Sequence, residues 1–177
     1  MKLDENVHLS SYRADWIEIY DEAKQQLFHV FSDKAIEIEH IGSTSIRGMV
    51  AKPIIDIMIG LIILEIDELL EKNLAKLGYE GFGEAGVPGR LYYRKRNNKD
   101  INLQITLWGS QLWNDNLLFR DYLRSHPDEA IHYSRFKQLT INKGINTLLK
   151  YSDEKSKVMD EIMNNAREWN RRGRNFA

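Results

Sequence analysis

A single carboxylate stands inside a segment that otherwise reads as a buried strand: Asp56, within KPIIDIMIG at 52–60. Counting every second residue puts Ile54, Asp56, Met58 and Gly60 on one face of that strand and Ile55, Ile57 and Ile59 on the other. The carboxylate therefore has a defined direction. A charge taken out of water is costly unless it meets a base, backbone donors or a metal ion. The residues just before it, Gly42, Ser43 and Thr44, close an earlier strand. A Gly-Ser turn offers unobstructed backbone N–H groups and a hydroxyl to phosphate oxygens. Strand, Gly-Ser turn, spacer and Asp-bearing strand together bring phosphate donors and a metal-binding carboxylate within reach of one triphosphate. The competing reading is structural, an aspartate paired with an Arg or Lys from elsewhere in the chain.

The elements that must position these groups follow from periodicity. Trp16, Ile17, Ile19, Tyr20, Ala23, Leu27 and Val30 recur at helical spacing and predict a helix over 16–31. Residues 35–41 alternate as a strand, with Ile36 and Ile38 on one face and Glu37 and Glu39 on the other. The apolar, β-branched run 53–61 predicts a central strand with Pro53 at its first position. A helix over 66–77 places Leu69, Leu70, Leu74 and Leu77 on one stripe and stops at Gly78. Strands 90–96 and 101–107, joined by NNKD, form an antiparallel hairpin, and the second strand presents Asp100, Asn102, Gln104 and Thr106 on a polar face that meets Asp56. From Gly109 onward the pattern is helical: 112–124, a capped helix start with a proline at SHPDE (125–129), and a last helix over 153–171 whose stripe is Val158, Met159, Ile162, Met163, Ala166 and Trp169. The 177 residues suit one α/β (α+β) domain, a mixed-sheet half over 1–108 and a helical half over 109–177 sharing one core.

Composition narrows the function classes. The chain is 42% hydrophobic and 29% charged, which excludes a disordered or low-complexity protein. With no cysteine there is no disulfide framework, thiolate metal site or cysteine nucleophile, in keeping with a cytoplasmic location. No apolar run is long enough to span a bilayer. A net charge of −1 gives no global attraction to nucleic acid. Polyanion binding would have to come from local clusters, and there are two: Arg90, Arg94, Lys95, Arg96 and Lys99, and the tail with Arg171, Arg172 and Arg174, which reads as frayed.

The arrangement around Asp56 resembles the polymerase-beta-like nucleotidyltransferase superfamily, and EHIGSTSIRG followed by KPIIDIMIG is similar to its GrpB family. The resemblance runs the length of the chain, through Tyr12 and Trp16, His40, Gly48, Lys52 and Pro53, FRDYLRSHP at 119–127, Tyr133, Lys137 and YSDEK at 151–155. It implies a nucleotidyltransferase-like mixed sheet flanked by helices and a cleft for a nucleotide or another phosphorylated small molecule. It further implies Asp56 as the catalytic, Mg²⁺-binding carboxylate, Gly42, Ser43 and Thr44 as the phosphate cradle, and Lys52 and Arg90 as charge compensation. Active superfamily members carry a second carboxylate where this chain has Met58, a soft thioether poorly suited to Mg²⁺. GrpB relatives often place a His pair where Asn102 and Gln104 stand. A non-catalytic phosphate-ligand module is therefore the alternative to nucleotidyl transfer.

The other candidates each have two readings. His40 could contact a phosphate or a base, or be a hydrogen-bonded core histidine; Lys52 could reach a triphosphate or form a surface ion pair. Arg120, Arg124 and Lys137, on helices among aromatics, either point inward to add positive potential over the site or pair with Asp121, Asp128 or Glu129. Trp113, Phe119, Tyr122 and Trp169 are taken as core.

Overall fold

The computed structural model describes residues 4–174. The chain runs α1 (Asp15–Phe31), β1 (Ala35–Ile41), β2 (Ile55–Leu61), α2 (Glu68–Lys76), β3 (Glu80–Gly81), β4 (Arg90–Lys95), β5 (Ile101–Leu107), α3 (Gln111–Ser125), α4 (Pro127–Asn142) and α5 (Leu148–Arg174). The strands form a mixed sheet in the order β1-β2-β5-β4-β3. The central pair, β2 and β5, is parallel and aligns Asp56 with Asn102 and Met58 with Gln104; the other pairs are antiparallel. Among the described residues no helix is long and apolar enough to cross a membrane.

The two faces of β2 serve different purposes. Ile55, Ile57 and Ile59 join Leu103 and Ile105 of β5 under α1 and α2, where Leu27, Phe31, Leu70 and Leu74 complete the main core. The opposite face turns toward the C-terminal helices. There Met58 is fully buried with Ile41 and Trp113. Gly60 admits the close approach of α3, since a Cβ on it would lie 2.9 Å from the Trp113 ring. A separate apolar cluster joins α3, α4 and α5 through Tyr122, Leu123, Tyr133, Val158, Ile162 and Ala166. The halves thus keep distinct clusters where one shared core was expected.

Several expected boundaries move for identifiable reasons. β2 begins at Ile55 because Pro53 cannot donate to the sheet ladder. A register shift between Ala35 and Glu37 turns Ile36 outward, leaving it 43% exposed. α2 starts at Glu68, with the Asp67 carboxylate capping Leu70 N–H at 2.8 Å, and this rotation leaves Leu69 exposed. Ser125 ends α3, and His126 precedes Pro127 at the start of α4 without a side-chain cap. α5 begins five residues early and continues through the basic RRGR stretch, so residues 171–174 are helical and not frayed; residues 175–177 lie outside the described residues. Trp169 is partly exposed, its ring edge-on to Tyr122 and His126.

A segment near the N-terminus ties the halves together. Val7 N–H donates to Asn146 O and Leu148 N–H to Glu5 O, while Ser10 and Ala51 exchange backbone hydrogen bonds. From this strap the Glu5 carboxylate accepts from Arg96 at 3.0 Å and lies 3.8 Å from the buried Arg94. Burial pushes the Glu5 carboxyl up, but the Arg96 hydrogen bond and the charges of Arg96, Arg94 and Lys52 outweigh it and hold it below its ordinary range. A depressed carboxyl contributes stability above its unfolded pKa and loses it as pH falls through the folded value. Because Glu5 is partly exposed, Glu5→Gln is expected to cost about 1–2 kcal/mol at pH 7. In a thermal melt this is a fall of about 2–8 °C, and the gap between variant and wild type should shrink below pH 4.

Candidate active site

The Gly42–Thr44 turn is set by contacts on both sides. Gly42 adopts φ +68°, and the next residues make a single 3-10 turn, Ser43–Ser45, closed by Ser45 Oγ donating to Gly42 O at 2.7 Å. Directly after it, Ile46 and Met49 plug into the helical cluster. Three candidate ligand residues brace the turn from behind, in line with the structural reading of each. His40 is buried, stacked on Tyr20, with Nε2 3.0 Å from Thr44 Oγ1. Burial, with the Arg124 and Arg120 charges, lowers its pKa to about 3, so it is a neutral ring. Arg120 donates to His40 O at 3.1 Å and pairs with Glu39 and Asp121. Arg124 donates to Ser45 O at 3.0 Å. All three fix the conformation of the turn, and of the three expected helical cations only Lys137 lines the cavity in front of it.

That cavity, about 680 Å³, is lined by Gly42, Ser43, Thr44, Lys52, Asp56 and Arg90 together with Asn102 and Gln104. Asp56 Oδ1 accepts from Asn102 Nδ2 at 2.8 Å, and Asn102 Oδ1 accepts from Arg96 at 2.8 Å. The guanidinium of Arg96 returns to Glu5, so a relay of three side chains aims the carboxylate. Its other oxygen, Oδ2, lies where a Gly42 side chain would be: a Cβ there would sit 2.5 Å from it. The turn and the carboxylate are therefore adjacent because residue 42 has no side chain.

Around Asp56 the charge is mostly positive. Lys137, from α4, donates to Ser43 Oγ at 2.9 Å and to Val50 O, with its ammonium 4.6 Å from the centre of the Tyr133 ring. Burial and the charges of Lys155 and Lys52, partly offset by Asp56, bring its pKa to about 7. Lys155, from α5, lies over Tyr151 at 5.5 Å and is brought to about 8 by burial and Lys52, again offset by Asp56. Lys52 is lowered by burial against the pull of Asp56 and Glu5. Arg90 is lowered by burial, donates to Glu84 O and Ala85 O, and stacks on Tyr92 at 4.7 Å.

Lys155, Tyr133, Tyr151 and Arg94 line the same cavity and were not selected from sequence. A signal for Lys155 existed: Tyr151, Lys155, Met159 and Met163 recur every four residues, a stripe hidden by starting the helix at 153. Arg94 shares its strand face with Arg90, the one cation selected from that cluster.

The donor set does not fit a pair of Mg²⁺ ions. Among the described residues no group of three or more His, Cys, Asp or Glu side chains comes together. Asp56 is the one carboxylate beside the turn, the Asn102 amide already donates to it, and the position of a second carboxylate is Met58, sealed in an apolar cluster.

Fold and cavity together define a mixed α/β protein whose cationic cleft lies between the sheet and a helical C-terminal half. The family profile described as "GrpB protein" matches residues 6–165, and the chain belongs to the GrpB family. It is 36% identical over 172 residues to UPF0157 protein YqkA of Bacillus subtilis, which covers 97% of this chain but only 50% of YqkA, so the chain spans half the length of that relative. It is 29% identical to the Glutamate-rich protein GrpB of Alkalihalophilus pseudofirmus over 89% of this chain and 94% of that protein. The fold matches the crystal structure of conserved protein GrpB from Enterococcus faecalis with TM-score 0.84 and 31% identity, covering 92% of this chain and 99% of that one.

Two substitutions test this geometry. Gly42→Ala must relieve both the left-handed backbone and the contact with Asp56, and is expected to cost about 2 kcal/mol, a fall of roughly 4–8 °C in melting temperature. Met58→Asp would place a carboxylate between Ile41 and Trp113 and is expected to cost about 4 kcal/mol without creating a tight Mg²⁺ site. Micromolar Mg²⁺ binding by that variant in calorimetry would contradict the placement of residue 58.

Proposed function

We propose that the cleft binds a phosphorylated small molecule, a nucleotide being the class that the nucleotidyltransferase-like arrangement suggests, and that lysine ammonium groups supply the charge compensation a metal pair supplies elsewhere. The observation that carries this reading is the convergence of Lys52, Lys137, Lys155 and Arg90 on the part of the cavity around Asp56, with the other lining carboxylates, Asp115 and Asp160, on the α3 and α5 side. One buried and two partly buried ammonium groups beside Asp56 leave a surplus of positive charge that an entering phosphate would neutralise in a partly dry site, where such attraction is strong. Ser43, already joined to Lys137, adds a hydroxyl to the same oxygens. Asp56 then serves as the resident counter-ion of the lysines and as an acceptor for a ligand hydroxyl. Nucleotidyl transfer with Mg²⁺ on Asp56 is the second reading, supported by the closeness of Asp56 to the Gly42–Thr44 turn, but its charge requirement is poorly met. A non-catalytic module therefore fits the site better.

The lysines give the reading a pH signature. A lysine with a lowered pKa is more protonated in the unfolded chain, so the ligand-free protein gains stability as pH rises from about 7 toward the ordinary value of 10.5. Phosphate binding has the opposite dependence. It needs both ammonium groups charged and should weaken as pH rises through about 7 to 8, with protons taken up on binding.

Calorimetry with inorganic tripolyphosphate at pH 6.5, with EDTA present, is the direct test. Lys137→Met and Lys155→Met are each expected to weaken binding about tenfold or more, close to 1.4 kcal/mol, while the fold is retained. Binding that is unchanged in both variants would overturn the proposal. Binding that vanishes with EDTA and with Asp56→Asn would favour the metal-dependent reading in its place.

A further inference from the structure

The cavity extends well past its phosphate end. One face of α5 runs along it, with Lys155, Met159, Met163 and Arg167 at successive four-residue steps. At about 1.5 Å per residue, Met163 lies roughly 12 Å and Arg167 roughly 18 Å from Lys155 along the helix. An inorganic phosphate would fill only the first part of such a space. Opposite this stripe, α3 contributes Leu112 and Phe119, together with Asn116 and Asp115. Met159, Met163 and Phe119 are each partly buried, one flank on the helical cluster and the other on the cavity.

The polar groups at this far end differ from those at the near end. Arg167 is held by Asp115 at 3.0 Å, so its charge is already compensated and does not make a second phosphate site. Asn116 donates its amide to Leu112 O and keeps its carbonyl oxygen as an acceptor. An apolar slot of two thioethers and a phenyl ring, edged by an amide carbonyl and the Asp160 carboxylate and not by free cations, suits a flat aromatic ring that carries hydrogen-bond donors at its rim.

We propose that the slot between α3 and α5, floored by Met159 and Met163 and edged by Asn116, is the base subsite of a nucleotide whose phosphates lie among Lys52, Lys137 and Lys155. The inference rests on the phosphate reading of the near end and adds the ligand class and its orientation. The methionines act on the ring alone, the lysines on every phosphate ligand.

The test compares ATP with inorganic tripolyphosphate on the full chain at pH 6.5 with EDTA. ATP is expected to bind about tenfold tighter than tripolyphosphate, and Met159→Ala/Met163→Ala to remove most of that gain while leaving tripolyphosphate affinity unchanged. Methyl-labelled methionine provides a readout that needs no variant. ATP should shift the Met159 and Met163 methyl resonances upfield through the ring current, tripolyphosphate should not, and the buried Met49 and Met58 serve as internal references. Equal affinity for the two ligands, or ATP binding that leaves both methyl signals in place, would overturn the base subsite while the phosphate site stands. Absence of binding by both ligands would overturn the phosphate reading and this inference with it.

Discussion

The carboxylate of Asp56 faces inward from a strand whose flanking residues are apolar, and the structure around it is organised by the need to stabilise that charge. One oxygen is held by Asn102, which is held by Arg96, which is held by Glu5 on a strap that also bonds to the helical half. The other oxygen occupies the space left by the missing side chain of Gly42. Lys52, Lys137 and Lys155 gather on the open side, and each is kept from losing more of its charge by the same carboxylate. A lone carboxylate drawn partly out of water would be expensive, as would the buried Lys137 and the partly buried Lys52 and Lys155 without it. Their mutual compensation allows both to exist in one cavity.

That compensation depends on parts that belong to different cores. The strand carrying Asp56 is fixed by the cluster under α1 and α2, whereas Ile46 and Met49, just past the Gly42–Thr44 turn, are fixed by α3, α4 and α5. Lys137 crosses the same boundary, reaching from α4 to Ser43 Oγ and Val50 O. Arg120 and Arg124 repeat the pattern from α3, binding carbonyls on either side of the turn. The turn is thus clamped between halves that keep separate apolar clusters, and the cavity is the space where their polar surfaces meet.

Much of the α/β half could be read from the sequence because its signals are local. Alternation in 101–107, the apolar run around Asp56 and the terminator Gly78 each specify an element without reference to the rest of the chain, and period-two counting put Asp56 on the side of Asn102 and Gln104. What local signals left open was direction in the helices. Arg120, Arg124 and Lys137 are similar as residue types, yet one reaches the cavity and two reach backbone carbonyls behind the turn. That difference depends on how α3 and α4 are rotated against the sheet, which tertiary packing decides. Of the two readings of His40 the structure shows the core one, and the stacking of His40 on Tyr20 was not legible because it brings together residues twenty apart in sequence.

Met58 is the residue through which fold and chemistry are most closely linked. Where a metal-dependent site needs a second carboxylate facing the first, this strand turns a thioether into contact with Ile41 and Trp113, and α3 closes over it. Met58 therefore stabilises the docking of the helical half, and that docking delivers Lys137 and Lys155 to the cavity. An apolar side chain at position 58 and the cations delivered by that docking both leave the local charge positive. Around Asp56 the cavity keeps more cationic than anionic side chains, and that imbalance is the electrostatic consequence of docking the helical half against this sheet.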